Sequence, residues 1–400
     1  MKRFALALLL AGCAQTARPP IRIGVLHSQT GTMAGSEKPV AEAVQLAVDE
    51  INAAGGVLGR KVEIVTADGA SEDETFAREA ERLIRKEKVC SVFGCWTSAS
   101  RKTVLPIFEK NQHLLFYPVQ YEGLEQSPNI VYLGAAPNQQ IIPAVTWGYS
   151  QLGKRFFLIG SDYVFPRTAN AIIRDQARAL GAEVVGEEYL PLGSRDLSKV
   201  MAKVRQAKPD VIFNTINGDS NEALFKALQG GNIPVVSFSL AEAELQSMDP
   251  SLTSGHFAAW NYFQSLPGQR NRQFVEAFRS KYGQDRVTDD PIEAAYCGVH
   301  LWAQAVEEAG SDEVGAIRRC IRRQSMAAPE GTIYIDPDTQ HAFRGVNIGR
   351  IRKDGQFDLM WSSGQPIRPV PFPIYRSRAE WVQFLDGLYK GWGGHWSAPQ

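Results

Sequence analysis

No stretch beyond the first dozen residues approaches 18 uninterrupted apolar positions, so no transmembrane helix is expected in the folded part of the chain. Charge of one sign is not concentrated anywhere. Lys and Arg number 43 against 43 Asp and Glu, and no strong basic block exists, which argues against nucleic acid as a partner. Cysteine is sparse, at 5 residues. A disulfide between Cys90 and Cys95 would have to fold the run Cys90-Ser91-Val92-Phe93-Gly94-Cys95 back on itself. Buried free thiols are therefore expected at Cys90, Cys95, Cys297 and Cys320, with a structural bridge left open by an oxidising compartment. The 6 histidines (27, 113, 256, 300, 341 and 395) form no H-x-H or H-E-x-x-H pair, and the cysteine spacing matches no zinc pattern. Neither a metal nor a cofactor is expected. Gly160-Ser161-Asp162-Tyr163 is not a nucleophile elbow, and Gly55 to Lys61 lacks phosphate-loop spacing. Nothing nominates a nucleophile with its base, so an enzyme is not expected.

What is present begins at the N-terminus. Met1-Lys2-Arg3 is a positive leader, Phe4 to Ala11 is apolar, and the run ends in Leu10-Ala11-Gly12-Cys13. It is too short to span a bilayer and has small residues directly before a cysteine, the pattern of a bacterial lipoprotein signal. This reading removes residues 1–12, places lipid on Cys13 and makes 13–20 a tether. The alternative is an ordinary secretory signal cut near Ala14 or Ala17. Either way the protein is exported, to a periplasmic or other extracytoplasmic location, and a lipid anchor would be its only membrane attachment. Loss of Lys2 and Arg3 leaves 41 basic against 43 acidic residues, a net charge of −2 with His neutral.

The remaining chain exceeds one comfortable core and reads as two α/β lobes. Apolar strands at Ile21–Leu26, Val62–Thr66, Val89–Phe93 and Leu114–Tyr117 alternate with amphipathic helices. The rhythm restarts at Arg155, with strands at 156–160, 183–189, 211–215 and 234–238. Such alternation implies two doubly wound parallel sheets joined by a hinge. Residues 21–139 with about 263–340 are assigned to lobe 1, and 140–262 with about 341–365 to lobe 2. Residues 366–400, rich in Pro, Gly and Trp, read as a wrap over the surface. A hairpin is expected at 346–361, turning at Lys353-Asp354-Gly355.

Ligands of such sheets bind beyond the carboxyl ends of the strands, and two facing lobes make one cleft. Four loops there have suitable chemistry. Trp96-Thr97-Ser98-Ala99-Ser100 precedes a helix whose free N–H groups suit a carbonyl oxygen, unless it serves only as an N-cap. Tyr117-Pro118-Val119-Gln120-Tyr121-Glu122-Gly123 offers flat walls with polar tips. Ser161-Asp162-Tyr163 and Asn217-Gly218-Asp219-Ser220 repeat the combination in lobe 2. Loop position and polarity nominate Trp96, Tyr121, Asn217, Asp219, Ser239 and Glu242.

These loops, together with Ser127-Pro128-Asn129-Ile130-Val131-Tyr132 and Ala136-Pro137-Asn138-Gln139-Gln140, strongly resemble the type I periplasmic binding proteins. The similarity runs from about Ile21 to Trp396. Within that family, Val119-Gln120, Asn217-Gly218-Asp219 and Trp392-Gly393-Gly394 resemble the urea transporter binding branch more than the short-chain amide sensors. Asp338-Thr339-Gln340-His341 departs from the Asn-Asn-His common in relatives. The resemblance implies a binding component of an ABC-type importer, delivering urea or a similar amide to permease subunits. It implies amide contacts at Ser98, Tyr117, Gln120 and Tyr163. Urea carries four N–H donors and one acceptor, and each left unpaired on burial would cost about 1–3 kcal/mol. Ser98 would face the carbonyl, and Gln120, Asp219 or Glu242 would accept from the amines. Alternatives are a short-amide or branched-chain amino-acid receptor on this fold, an amide-responsive regulator, or a hydrolase.

Overall fold

The computed structural model describes residues 18–399, so the expected signal and the lipid-bearing Cys13 lie outside the described residues. The first half of the chain gives β1 (Ile21–His27), α1 (Ala34–Ala53), β2 (Val62–Asp68), α2 (Asp73–Arg85), β3 (Val92–Gly94), α3 (Ser98–Lys110), β4 (Leu115–Tyr117) and β5 (Ile130–Tyr132). Their strands form a parallel sheet in the order β2-β1-β3-β4-β5. Ile21, Ile23, Val25 and Leu26 are all buried, as expected of a parallel strand covered on both faces.

The second series is α4 (Ile141–Gln151), β6 (Arg155–Ser161), α5 (Val164–Leu180), β7 (Glu183–Leu190), α6 (Ser198–Ala207), β8 (Val211–Thr215), α7 (Ser220–Leu228) and β9 (Val235–Ser237). Short helices α8 (Glu242–Leu245) and α9 (Pro250–Thr253) lead to β10 (Phe257–Trp260). The parallel order β7-β6-β8-β9-β10 reproduces that of the first sheet, with the order reversing beside the first strand of each. The chain then returns to the first sheet with α10 (Gln269–Tyr282), α11 (Asp290–Ala309) and α12 (Val314–Cys320). A small antiparallel sheet follows, made of β11 (Ser325–Ala328), β12 (Gly331–Ile335) and β13 (Ala342–Phe343). Finally β14 (Asn347–Ile351) and β15 (Phe357–Ser362) add antiparallel to the β10 edge, and α13 (Arg378–Gly391) closes the chain.

Packing follows the two-residue period of the strands. Phe156 and Leu158 of β6 enter one core with α4, α5 and α13, whereas Phe157 and Ile159 enter a second with α6 and α7. A third core surrounds the first sheet and includes α1, α11, and Ile333, Ile335 and Ala342 of the small sheet. Thus β13 belongs to the first body, and the chain crosses to the second only around Arg344–Val346, a few residues beyond the expected 341. The chain passes between the two sheets three times.

Several elements were not expected from the sequence. β5 and β10 are only 3 and 4 residues long, and the sheet rather than the local pattern defines them. α4 contains Ile141, Ile142, Pro143, Val145 and Thr146, poor helix formers held by packing against α5. The C-terminal part is no mere surface wrap. Ser377 Oγ accepts from Glu380 N at 3.3 Å and Glu380 Oε2 from Ser377 N at 2.7 Å, a capping box that starts α13. Trp381 is buried, its Nε1 donating to Pro373 O at 2.8 Å. Cys90, Cys95, Cys297 and Cys320 are free thiols.

Candidate functional site

The carboxyl ends of both parallel series face one another, and their loops meet. On the first sheet, Thr97 is the N-cap of α3, its Oγ1 accepting from Ser100 N at 3.0 Å. Ser98 is therefore the first helical residue, and its hydroxyl donates to Glu122. Behind it lies a fully buried Arg101. The guanidinium donates to Ser98 Oγ (2.9 Å), Glu122 Oε1 (3.0 Å) and Glu125 Oε1 (2.8 Å), while Lys102 Nζ reaches Glu125 Oε2 at 2.9 Å. Two cations thus balance two carboxylates, and the guanidinium sits 4.9 Å and 4.6 Å from the Tyr117 and Tyr121 rings. Burial alone would push the Glu125 carboxyl up, but Arg101 and Lys102 outweigh it and hold it down at about 2. Tyr117 OH donates to Trp96 O at 2.6 Å. Tyr121 stacks on Tyr132 and His341 and hydrogen-bonds the His341 ring, whose pKa burial lowers to about 4. The departing segment at 338–341 thus lines the first sheet's edge, where His341 bridges Tyr132.

On the second sheet the corresponding loops are held mainly by neutral groups, with one partly exposed ion pair. Asn214 Nδ2 donates to Asn221 Oδ1 (2.9 Å) and Ser237 Oγ (3.0 Å), and Asn214 Oδ1 accepts from Ile216 N at 2.9 Å. Asn217 N donates to Ser161 Oγ at 3.1 Å, and its side chain turns back to Thr215 O. Asp162 is paired bidentately by Arg167 (2.8 and 2.9 Å), whose guanidinium lies 3.7 Å over the Tyr189 ring.

A cavity of about 430 Å³ opens between the two sets of loops. Thr97, Ala99, Ser71, Asp73 and Phe76 line it from the first body, and Asp162, Tyr163 and Leu192 from the second. Four carboxylates border it, those of Glu37, Asp73, Glu74 and Asp162, with His395 the one basic side chain among its described lining. Glu37 is already engaged, its Oε2 accepting from Ser28 N at 2.8 Å and lying 3.1 Å from His27 Nδ1. Burial, reinforced by neighbouring Glu74, pushes the Asp73 carboxyl up to about 6. Asp73 was missed from sequence because it reads as an ordinary helix-opening acid.

The structure separates the residues nominated from sequence. Tyr163 lines the cavity, and Trp96 and Ser98 flank its lining residues Thr97 and Ala99. Tyr117 and Tyr121 support that wall from behind. Gln120 spans the two bodies, its Nε2 donating to Phe238 O (2.9 Å) and Ser239 Oγ (3.1 Å). Asp219 stands at another mouth of the cleft, accepting from Thr32 Oγ1 (2.8 Å) and Arg195 (3.1 Å). Glu242 is buried and accepts from Gln264 N at 2.7 Å; burial and Asp289 raise its pKa well above the usual range. Trp96 Nε1, Gln120 Oε1 and Glu242 Oε2 are buried without a hydrogen-bond partner among the described residues.

Comparison with known proteins decides the family. Residues 21–378 match the family described as periplasmic binding protein domain. The chain belongs to that family. It is a solute-binding protein and not an enzyme. Leu/Ile/Val-binding protein homolog 8 of Brucella abortus (strain 2308) is 25% identical, the match covering 88% of this chain and 90% of that one. A solute-binding protein from Rhodopseudomonas palustris BisB5, solved with 3,4-dihydroxybenzoic acid, shares the fold with a TM-score of 0.79 at 22% identity, covering 88% of this chain and 98% of the other. A branched-chain amino acid binding protein of Streptococcus pneumoniae, solved with isoleucine, gives a TM-score of 0.76 at 21% identity, with 88% and 100% covered. A limonene hydroxylase of Geobacillus stearothermophilus is 36% identical over 124 residues, but the chain spans only 23% of its length. Among the described residues no helix is long and apolar enough to cross a membrane, and no side-chain group is arranged to hold a metal ion.

Proposed function

We propose that this family member captures urea, or a short-chain amide like it, between its two sheets and delivers it to the permease of an ABC-type importer. The observation that carries the reading is the charge of the cavity wall. Of its four bordering carboxylates, Asp162 is balanced by Arg167, and Glu37 is held by Ser28 N and His27. That leaves Asp73 and Glu74 with His395 as the nearby basic group, while Arg101 is engaged by Glu122 and Glu125. A ligand rich in N–H donors is matched to such a wall, whereas a carboxylate ligand would meet like charge. Isoleucine and 3,4-dihydroxybenzoic acid, found in structural relatives, both bring a carboxylate. That argues for a different cargo here.

In this reading the ligand's amines donate to Asp73 and Asp162, and its carbonyl meets the first turn of α3 at Ser98 and Ala99. Tyr163 covers its plane. Tyr117 and Gln120 act from behind, the first by fixing the Trp96 loop and the second by tying the bodies together. The cavity leaves room for water around a molecule as small as urea. Residues 21–139 with about 263–343, and 140–262 with about 346–365, close on one another about the three crossings. The ligand stabilises the closed form through the contacts it makes to both. Lipid on Cys13 would hold the protein near its permease. The test is calorimetry with urea, acetamide, formamide and leucine on the exported protein. Saturable binding of urea or an amide without leucine is expected; leucine binding alone overturns the reading.

A further inference from the structure

The C-terminal segment enters the cavity. α13 is fixed to the second body by Trp381 and Leu385 in its core, and by Arg376 donating to Asp175 (2.5 and 3.1 Å). Beyond it, Gly393 and Gly394 take φ of +66° and +89°, a left-handed pair that turns the chain back toward the cleft. The returning strand runs antiparallel to the Tyr163 loop: Val164 N donates to Trp396 O at 2.9 Å, and Ala398 N donates to Asp162 O at 3.0 Å. Val164 opens α5, so the tail carbonyl occupies an N–H that the helix start leaves free. The segment also touches the first body. Lys102 Nζ lies 4.9 Å over the Trp396 ring, and His395 Nδ1 is 3.8 Å from Glu74. Between these anchors, His395, Ser397, Ala398 and Pro399 line the cavity.

We propose that residues 395–399 are a wall of the ligand site, holding Tyr163 in place and retaining the ligand. This rests on the cavity being the ligand site. The segment contributes the one imidazole among the cavity's described lining, and a hydroxyl, to an otherwise acceptor-rich wall, so it bears on selectivity as well as retention. It also bonds to the backbone on either side of Tyr163 in one body while its side chains touch the other. Its removal opens the site without removing any residue of either sheet.

The test compares the full chain with a truncation ending at Gly394 and with Trp396→Ala. The truncation is expected to keep its helical content and to bind urea roughly tenfold more weakly or worse, with faster release. The backbone amide of Val164, which donates to Trp396 O, should lose hydrogen-exchange protection, and Trp396→Ala should shift both readouts the same way by less. A folded truncation with the full chain's urea affinity, release rate and amide protection overturns the proposal. If the full chain itself ignores urea, the ligand reading fails, and the tail is judged by exchange at the Val164 amide and by thiol labelling of an Ala99→Cys variant. Labelling should then be slow in the full chain and fast in the truncation, and equal rates overturn the wall. If the truncation does not fold, Trp396→Ala decides by the same readouts.

Discussion

The two parallel sheets share one strand order but stiffen their ligand-facing loops by opposite chemistry. The first uses charge, with Arg101 and Lys102 buried against Glu122 and Glu125 between tyrosine rings. The second uses neutral amides and hydroxyls, centred on Asn214, Thr215, Asn217 and Asn221. A buried ionic lattice is costly to disturb, because removing one member strands the others. A neutral network loses a bond at a time. The first wall is thus the fixed jaw, and the second is the one able to adjust, its Tyr163 loop being braced by the tail and by the partly exposed Arg167–Asp162 pair in place of a fully buried lattice.

Breaking each network measures that contrast. Arg101→Met leaves Glu122 and Glu125 under-compensated and should cost about 3–5 kcal/mol. Asn214→Leu in the second sheet should cost about 1–3 kcal/mol by stranding its partners. Guanidinium chloride unfolding measures both, urea being unsuitable as denaturant for a chain read as binding it. Equal losses would erase the distinction.

The next largest effect concerns Asp73. Its carboxyl titrates near 6 in the folded chain against an ordinary 3.8. The folded state therefore holds this proton more tightly, and the resulting stability is complete below about 3.8 and lost as pH rises through about 6. Asp73→Asn should raise the thermal midpoint at pH 7.5 and leave it unchanged at pH 3.5. Urea affinity in the unaltered protein should strengthen as pH rises through 6, since the ionised carboxylate is a stronger acceptor for the amine hydrogens than the neutral acid, and the variant should be flat and roughly tenfold weaker at pH 7.5.

Smallest are the contacts between bodies at the far mouth of the cleft. Thr32→Val and Ser36→Ala each remove one bond, to Asp219 or Glu244. Each should cost about 0.5–1 kcal/mol of closure, a few-fold faster ligand release in stopped-flow, with little change in unfolding. A larger effect at Thr32 than at Asp73 would move the ligand toward the Asp219 mouth.

Much of the fold was legible in sequence because long strands and amphipathic helices carry their own periodicity. The strands around Ile21, Phe156 and Val211 are read directly from apolar runs between helices. β5 and β10 were not, being too short to show a period, and α4 was hidden by Pro143 and its β-branched residues. Around the cavity, loop position placed Tyr163 and the Trp96–Ser98 turn at the strand ends where the structure has them. It could not show that Ser98 would be claimed by Glu122, or that Asp219 would face Thr32. Those outcomes depend on partners far away in the chain. Asp73 and the tail were invisible for the same reason, and the helix that delivers the tail, begun by the Ser377–Glu380 capping box, was hidden in a segment read only as a wrap.

The most direct measurement is a crystal structure of the protein grown with urea. The account predicts a flat ligand between Asp73, Asp162 and Tyr163, with its carbonyl toward the first turn of α3. Urea found instead beside Asp219 or Glu242, or a carboxylate ligand carried through purification in the Asp73 cavity, would contradict it.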